Sequence, residues 1–278
     1  ADVLESFLPS FDRNVFFKRL FDRNWESLEL KQRMRHSSIV LHSFFGEDFA
    51  TTCGYLEQII ERIDSTKIKD AGFVFMFIPD YIEVFGINHY EDSVKLIENV
   101  TKFTSCEFCV RPFIKKYPEM IVQMQKWAFH EDYRVRRLAS EGSRSRLPWA
   151  MQLESIAGDP SPILPIIEVL INDEHEWVRR SVSNSINDIS KDNPAVAIDI
   201  FRRHINQSKE KDSLLKHAAR TLLKQGSQEV LALFGNSANY SLELSNFAIS
   251  TSVVLKGEYV EFSFELGNTS DVSADVRL

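Results

Sequence analysis

Asp132-Tyr-Arg-Val-Arg-Arg-Leu-Ala-Ser140 and Asp173-Glu-His-Glu-Trp-Val-Arg-Arg-Ser-Val182 state one pattern twice, with Val135-Arg136-Arg137 and Val178-Arg179-Arg180 lying 43 positions apart. Lys211-Asp-Ser-Leu-Leu-Lys-His-Ala-Ala-Arg220 is a weaker third copy. A period of about 40 residues is the signature of HEAT or armadillo helix pairs stacked into a solenoid. At 100° per residue the second copy places Val178, Val182, Ile186 and Ile189 on one side, and Arg180, Asn184, Asn187, Asp188 and Lys191 on the other. The first face predicts core, the second a surface open to a ligand. The same spacing predicts Arg137 one turn from Glu141, Glu107 one turn from Arg111, and Lys216, Arg220 and Lys224 in one stripe.

Outward from the repeats, residues 2–97 read as several further helices. Leu28-Glu-Leu-Lys-Gln-Arg-Met-Arg-His36 favours helix throughout, and residues 49–63 carry apolar side chains at helical spacing. The apolar run 73–78 is assigned to helix on the strength of its helical neighbours, with a boundary at Pro79-Asp80. After Gly235 the pattern changes. In residues 240–278, Val260, Phe262, Phe264 and Leu266 alternate with other residues before a turn signal at Gly267-Asn268. The expected architecture is mainly α, a HEAT-like helical-repeat solenoid over residues 1–235. The start of a β, immunoglobulin-like domain is expected over 236–278, too few strands to close a sandwich. The chain starts without Met and stops at Leu278 within that strand-rich stretch, as a fragment of a longer protein would.

Composition narrows the class. The 278 residues are 44% hydrophobic with 10 Gly and 9 Pro, a folded chain with short connections. No apolar run reaches the roughly 18 residues of a membrane helix, so no membrane partner is expected and a cytoplasmic monomer is. Three cysteines, Cys53, Cys106 and Cys109, make no disulfide framework. Cys106-x-x-Cys109 lacks the second ligand pair that zinc needs, so two packed thiols on a helix are expected and no metal or other cofactor is. The net charge of −7 counts against indiscriminate DNA binding. From residue 130 to 235, however, acidic and basic residues balance, so a local basic groove is allowed.

Ser140-Glu-Gly-Ser-Arg-Ser-Arg-Leu-Pro-Trp-Ala150 resembles the signature of AlkC-type DNA-3-methyladenine glycosylases, in the alkylation-repair HEAT-like superfamily. Leu30-Lys-Gln-Arg-Met-Arg-His36, Ser105-Cys-Glu-Phe-Cys-Val-Arg-Pro-Phe113, Val178-Arg-Arg-Ser-Val-Ser-Asn-Ser-Ile-Asn-Asp-Ile-Ser-Lys-Asp192 and Leu215-Lys-His-Ala-Ala-Arg-Thr-Leu-Leu223 extend the resemblance over residues 10–235. The Glu-Gly-x-Arg-x-Arg-Leu-Pro-Trp string carries most of its specificity. Ser145 stands where Pro is expected and Ser185 where a bulkier residue is usual. Some family members carry an immunoglobulin-like domain after the repeats, which the strand-rich tail resembles.

The resemblance implies a glycosylase acting on double-stranded DNA that contains alkylated bases, with the lesion left largely stacked. A base alkylated at a ring nitrogen is already cationic and leaves as a neutral group. The site therefore needs no strong general acid; it needs negative charge beside C1′, which becomes oxocarbenium-like as the bond breaks. Glu107, Glu141 and Asp188 match the family motifs for this role. Trp149 offers a π face to the sugar or the cationic base. Arg144, Arg146, Arg179, Arg180, Lys216 and Arg220 are the expected phosphate contacts. Read without the resemblance, the carboxylates are ion-pair partners of Arg111 and Arg137, and the chain is a non-catalytic HEAT scaffold for DNA or a protein.

Overall fold

The computed structural model describes residues 1–46, 48–63, 67–235, 242–251 and 253–269. Two compact units divide the chain, 1–221 and 222–278, so the first ends before residue 235, where the sequence pattern alone places the change.

Unit 1 begins with α1 (Asp2–Phe7), α2 (Arg13–Leu20), α3 (Leu30–Phe45), α4 (Phe49–Arg62), α5 (Ala71–Val74), α6 (Phe77–Phe85) and α7 (Tyr90–Val100). It continues with α8 (Val110–Lys116), α9 (Glu119–Trp127), α10 (Tyr133–Ser143), α11 (Glu154–Gly158), α12 (Leu164–Leu170), α13 (Glu176–Asp192), α14 (Pro194–His204) and α15 (Lys209–Ala218). Helix α16 (Arg220–Lys224) straddles the division. The helices form two layers. In one, α3, α6, α8, α10, α13 and α15 each pack on the next; in the other, α4 meets α7 and α9 meets α12. Pairs such as α9/α10, α12/α13 and α14/α15 join the layers, which makes this a helical-repeat fold.

Local chemistry fixes where these helices start. Asp12, Asp48, Asp132 and Ser208 cap α2, α4, α10 and α15 by accepting from backbone N–H groups of the first turn. In the second repeat the cap is His175, not Asp173. Asp173 instead receives the Arg136 guanidinium of the preceding repeat, at 2.6 and 3.1 Å, and ties the two together. Pro79 does not mark a boundary. It sits in the first turn of α6, where an N–H would have no intrahelical acceptor, and the break falls before it at Phe75-Met76.

Val178, Val182, Ile186 and Ile189 are buried, each side chain contributing about 1.5–3 kcal/mol. The opposite face of α13 is less open than its polarity suggests. Asn187 and Asp188 are buried too, because α13 is flanked by α10 on one side and α15 on the other. Its polar groups are used as internal stitches. Ser181 Oγ donates to Ser140 Oγ at 3.0 Å, Ser183 Oγ to the Leu214 carbonyl at 3.1 Å, and Thr221 Oγ1 to Asn187 Oδ1 at 2.9 Å.

In unit 2, the remainder of α16 is followed by α17 (Gln228–Leu233) and then by β1 (Leu242–Ile249) and β2 (Phe262–Asn268), paired antiparallel. Gly267 and Asn268 are not a turn; they pair with Glu243 and Leu242 inside the ladder. Val260 precedes β2, while Tyr240 and residues 270–278 of the strand-rich stretch lie outside the described residues. No helix among the described residues is long and apolar enough to cross a membrane.

Candidate active site

The three carboxylates come from consecutive members of one layer. Glu107 lies in the turn that leads into α8, Glu141 in the last turns of α10, and Asp188 on α13. Arg144, just past the end of α10, joins two of them: its Nη1 donates to Glu141 Oε1 at 2.6 Å, and its Nε and Nη2 approach Asp188 Oδ2 at 2.8 and 2.7 Å. Lys191, one turn along α13, donates to the other Asp188 oxygen at 3.0 Å. Burial alone would lower the Arg144 pKa, but Glu141 and Asp188 outweigh it and hold the guanidinium above its ordinary value.

Glu107 is paired differently from the helical-spacing expectation. Because it precedes α8 instead of lying on it, it cannot face Arg111 across one turn; its Oε2 lies 3.7 Å from Arg137 Nη1, beyond hydrogen-bond distance. Arg137 is thereby the partner of Glu107, and Glu141 is that of Arg144. Burial raises the Glu107 pKa, Arg137 opposes the shift, and the nearby Glu141 charge adds to it. Glu107 and Glu141 therefore feel each other across the interface of α8 and α10. Gly142 permits the closeness of those helices: a Cβ there would lie 2.6 Å from Val110 Cγ2.

Residues 144–153 form a loop closed by the Leu153 N–H donating to the Ser145 carbonyl at 3.0 Å. Trp149, on this loop, is 73% exposed, so it plugs no gap between repeats. Its φ of 73° is left-handed, a conformation that costs a non-glycine residue about 1–3 kcal/mol. Leu147 and Pro148 line cavities on two sides. One, of about 220 Å³, contains Glu107, Phe108, Met34 and Trp149; the other, of about 360 Å³, contains Arg144, Asp188, Arg146 and Lys191. The loop thus stands between Glu107 and Asp188.

The six cations expected at phosphates are not equally available. Arg144 is buried between its two carboxylates. Arg146 pairs with Asp192 at 2.6 Å but remains partly exposed. Arg179 donates to the Asp173 and Glu174 carbonyls at 2.7 and 2.8 Å, as Arg136 does to those of His130 and Glu131. The first Arg of each repeat is therefore the bracing one. Arg220 donates to the His217 carbonyl at 2.8 Å and to Asn184 Oδ1 at 3.2 Å. Arg180 and Lys216 are exposed, and among the described residues neither has a side-chain partner. Arg180 lines a groove of about 400 Å³ between α13 and α15 with Arg179, Ser183 and His217. Burial first, and then Arg220 and Arg180, push the His217 pKa down.

Cys106 and Cys109 are both buried, in the turn before α8 and not on a helix face; burial and the adjacent Cys106 push the Cys109 thiol well up.

A family model described as DNA alkylation repair enzyme matches residues 77–222, which include all three carboxylates, the Trp149 loop and all six expected phosphate cations. The chain belongs to this DNA alkylation repair enzyme family. An uncharacterised Bacillus subtilis protein, YhaZ, is 37% identical over 269 residues, 96% of this chain and 73% of that one. Among solved structures, the Pseudomonas fluorescens alkylpurine DNA glycosylase AlkC, bound to DNA containing an abasic-site analogue, superposes with a TM-score of 0.85 at 31% identity. The match covers 97% of this chain and 73% of AlkC. AlkD2 of Streptococcus mutans matches at a TM-score of 0.52 and 18% identity over 78% of this chain and 98% of its own, a likeness of fold.

Sequence reasoning missed two residues at the site. Arg111 donates to four backbone carbonyls of the segment 142–151, and Lys31 Nζ donates to the Trp149 carbonyl. A signal for Arg111 was present in the charge standing alone within Val110-Arg-Pro-Phe-Ile114. Nothing in the sequence ties Lys31 to a residue so distant along the chain.

Proposed function

We propose that this chain is a DNA glycosylase that hydrolyses the N-glycosidic bond of cationic alkylated bases, of the 3-methyladenine class. The observation that carries the reading is the gathering of Glu107, from the turn before α8, with Glu141 of α10 and Asp188 of α13, the last two joined by Arg144, and all bordered by the exposed Trp149. A scaffold gains nothing from gathering carboxylates on one layer and burying them; a site that must stabilise a transient sugar cation does. Glu141 and Asp188, held by one guanidinium, supply fixed negative charge. Glu107, whose raised pKa and unsatisfied Oε2 leave it able to take a proton, orients and deprotonates the attacking water. Trp149 stacks against the sugar or the departing base.

Phosphates are held chiefly by Arg180 and Lys216, with Arg146, Arg179 and Arg220 adding the guanidinium donors that their internal bonds leave free. Arg144 is reassigned from phosphate contact to partner of the carboxylates. Likeness to the DNA-bound AlkC supports DNA as the partner, as does the family description.

The test is single-turnover release of 3-methyladenine from methylated duplex DNA. Glu141→Gln and Asp188→Asn are each expected to slow it by about 100- to 1000-fold, with DNA affinity nearly unchanged. The combined variant is expected to lose far less than the product of the two, because they act as one cluster. Parent-like rates in folded neutral variants would overturn the assignment and favour the scaffold.

A further inference from the structure

Arg111 is fully buried, yet its guanidinium is hydrogen-bonded to no carboxylate among the described residues. Nε donates to the Met151 carbonyl at 2.7 Å, Nη1 to those of Gly142 and Arg144 at 3.0 and 2.7 Å, and Nη2 to that of Ser145 at 3.1 Å. The Gly142 and Arg144 carbonyls lie in the last turn and at the C-cap of α10, where helix geometry leaves oxygens without partners and favours a cation, and that of Ser145 follows in the loop. The Ser145 oxygen also accepts from Leu153, and Met151 lies beyond Trp149, so one side chain grips both ends of the loop. Lys31 of α3 donates to the carbonyl of Trp149 itself, the residue with left-handed φ. Burial, followed by the Arg144 cation, pulls the Arg111 pKa down to about 10, which still leaves it charged at neutral pH.

We infer that Arg111 and Lys31 are positioning residues for base excision: by clamping residues 142–151 they set the direction of the Trp149 ring and hold Arg144 where it can bind both Glu141 and Asp188. The inference rests on the glycosylase reading for its catalytic consequence, though not for the clamp. A planar fork suits Arg111, because four acceptors spread around the guanidinium edge cannot all be reached by the single ammonium of lysine. Neither residue needs to touch DNA. A displacement of about 1 Å at a reacting group costs on the order of 100-fold in rate, so a loosened clamp is visible in catalysis.

The experiment uses the whole chain labelled with 5-fluorotryptophan, which gives separate ¹⁹F resonances for Trp25, Trp127, Trp149 and Trp177, with Trp149→Phe identifying one of them. In Arg111→Lys and in Lys31→Met, the Trp149 resonance is expected to shift or broaden while that of the buried Trp127 stays in place. Single-turnover release of 3-methyladenine is expected to fall about 10- to 100-fold with DNA affinity changed by less than about threefold. Lys31→Arg, which keeps a donor, is expected to restore both. Lys31 is exposed on α3, so its variants decide the matter even if Arg111→Lys does not fold. An unmoved Trp149 resonance, or a parent-like rate in the folded variants, overturns the inference. A parent enzyme that releases no base defeats the glycosylase reading instead, and the ¹⁹F shifts still report on the clamp.

Discussion

Replacing Arg144 by Gln removes the cation that lies 2.6 Å from Glu141 and 2.7 Å from Asp188, both carboxylates being largely excluded from water. At a charge separation near 4 Å and an effective dielectric of about 20, each pair is worth about 4 kcal/mol before desolvation. Burying the guanidinium takes back much of that. The loss on removing one partner of a buried pair is about 3–5 kcal/mol, mostly the cost of the charges left behind. Lys191 still serves Asp188, which places the expected loss toward the lower figure. For a chain of this size, that is a fall in Tm on the order of 10 °C at pH 7.5. Urea midpoints of parent and variant provide the assay, with Arg146→Gln as control. The exposed Arg146–Asp192 pair is worth no more than about 1 kcal/mol. If Arg144→Gln and Arg146→Gln unfold at one midpoint, the buried-pair reasoning is wrong. A free phosphate contact would instead reduce the salt dependence of DNA binding and leave stability alone.

Glu107 has its folded-state pKa raised by burial, so it destabilises the fold as pH rises from its ordinary value through the raised one. Glu107→Gln is accordingly expected to be more heat-stable than the parent at pH 7.5, and no more stable at pH 4, while base release slows about 100-fold or more; calorimetry at both pH values checks the sign. Replacing Arg180 or Lys216 by Ala is expected to weaken DNA binding alike across sequences, and to shrink the logarithmic salt slope by about one unit each; an unchanged slope in the double variant removes both from the interface. His217, held below its ordinary pKa by burial and by Arg220 and Arg180, is expected to titrate higher when duplex DNA is bound, because phosphate offsets those cations. An NMR titration of its imidazole that is indifferent to DNA would place the strand elsewhere.

The repeat was legible because burial imposes a period: Val135 and Val178 recur with their Arg-Arg pairs at one spacing, and α10 and α13 pack side by side with those valines inside. The proximity of Glu107, Glu141 and Asp188 was legible too, since the resemblance at Ser140–Ala150 and its companion motifs singled them out, with Trp149, as candidates. Their pairing was not. A helical wheel relates residues on one helix, whereas Arg144–Asp188, Arg137–Glu107 and Lys31–Trp149 are set by how helices stack and where a loop folds back. Arg144 shows the difference plainly. Its motif and its charge fit a phosphate contact, yet the end of α10 directs it inward to α13. For the same reason the face of α13 that the wheel leaves open to a ligand is in part an internal seam: Asn187 and Asp188 are buried, while Arg180 and Lys191 stay exposed.

This seam bears on how an acidic protein can present carboxylates to DNA at all. Glu107, Glu141 and Asp188 would repel phosphate if they stood alone, but Arg137, Arg144, Lys191 and the buried Arg111 surround them. Seen from a phosphate several ångströms away, that group is neutral to slightly positive. At the distance of a sugar carbon in contact it is not uniform, because fields from fixed groups separate only at short range. Among the described residues, Arg144 binds only one oxygen of Glu141, and Arg137 stays beyond hydrogen-bond distance of Glu107, whereas both Asp188 oxygens are held, by Arg144 and Lys191. Neutralisation at long range and negative charge at contact are therefore compatible, and they follow from holding the cations by directional hydrogen bonds within the layer. An exposed lysine in place of Arg144 would screen the carboxylates from every side. On the glycosylase reading, the buried guanidinium is what lets the cluster approach a polyanion without losing its charge at the one carbon where it is used.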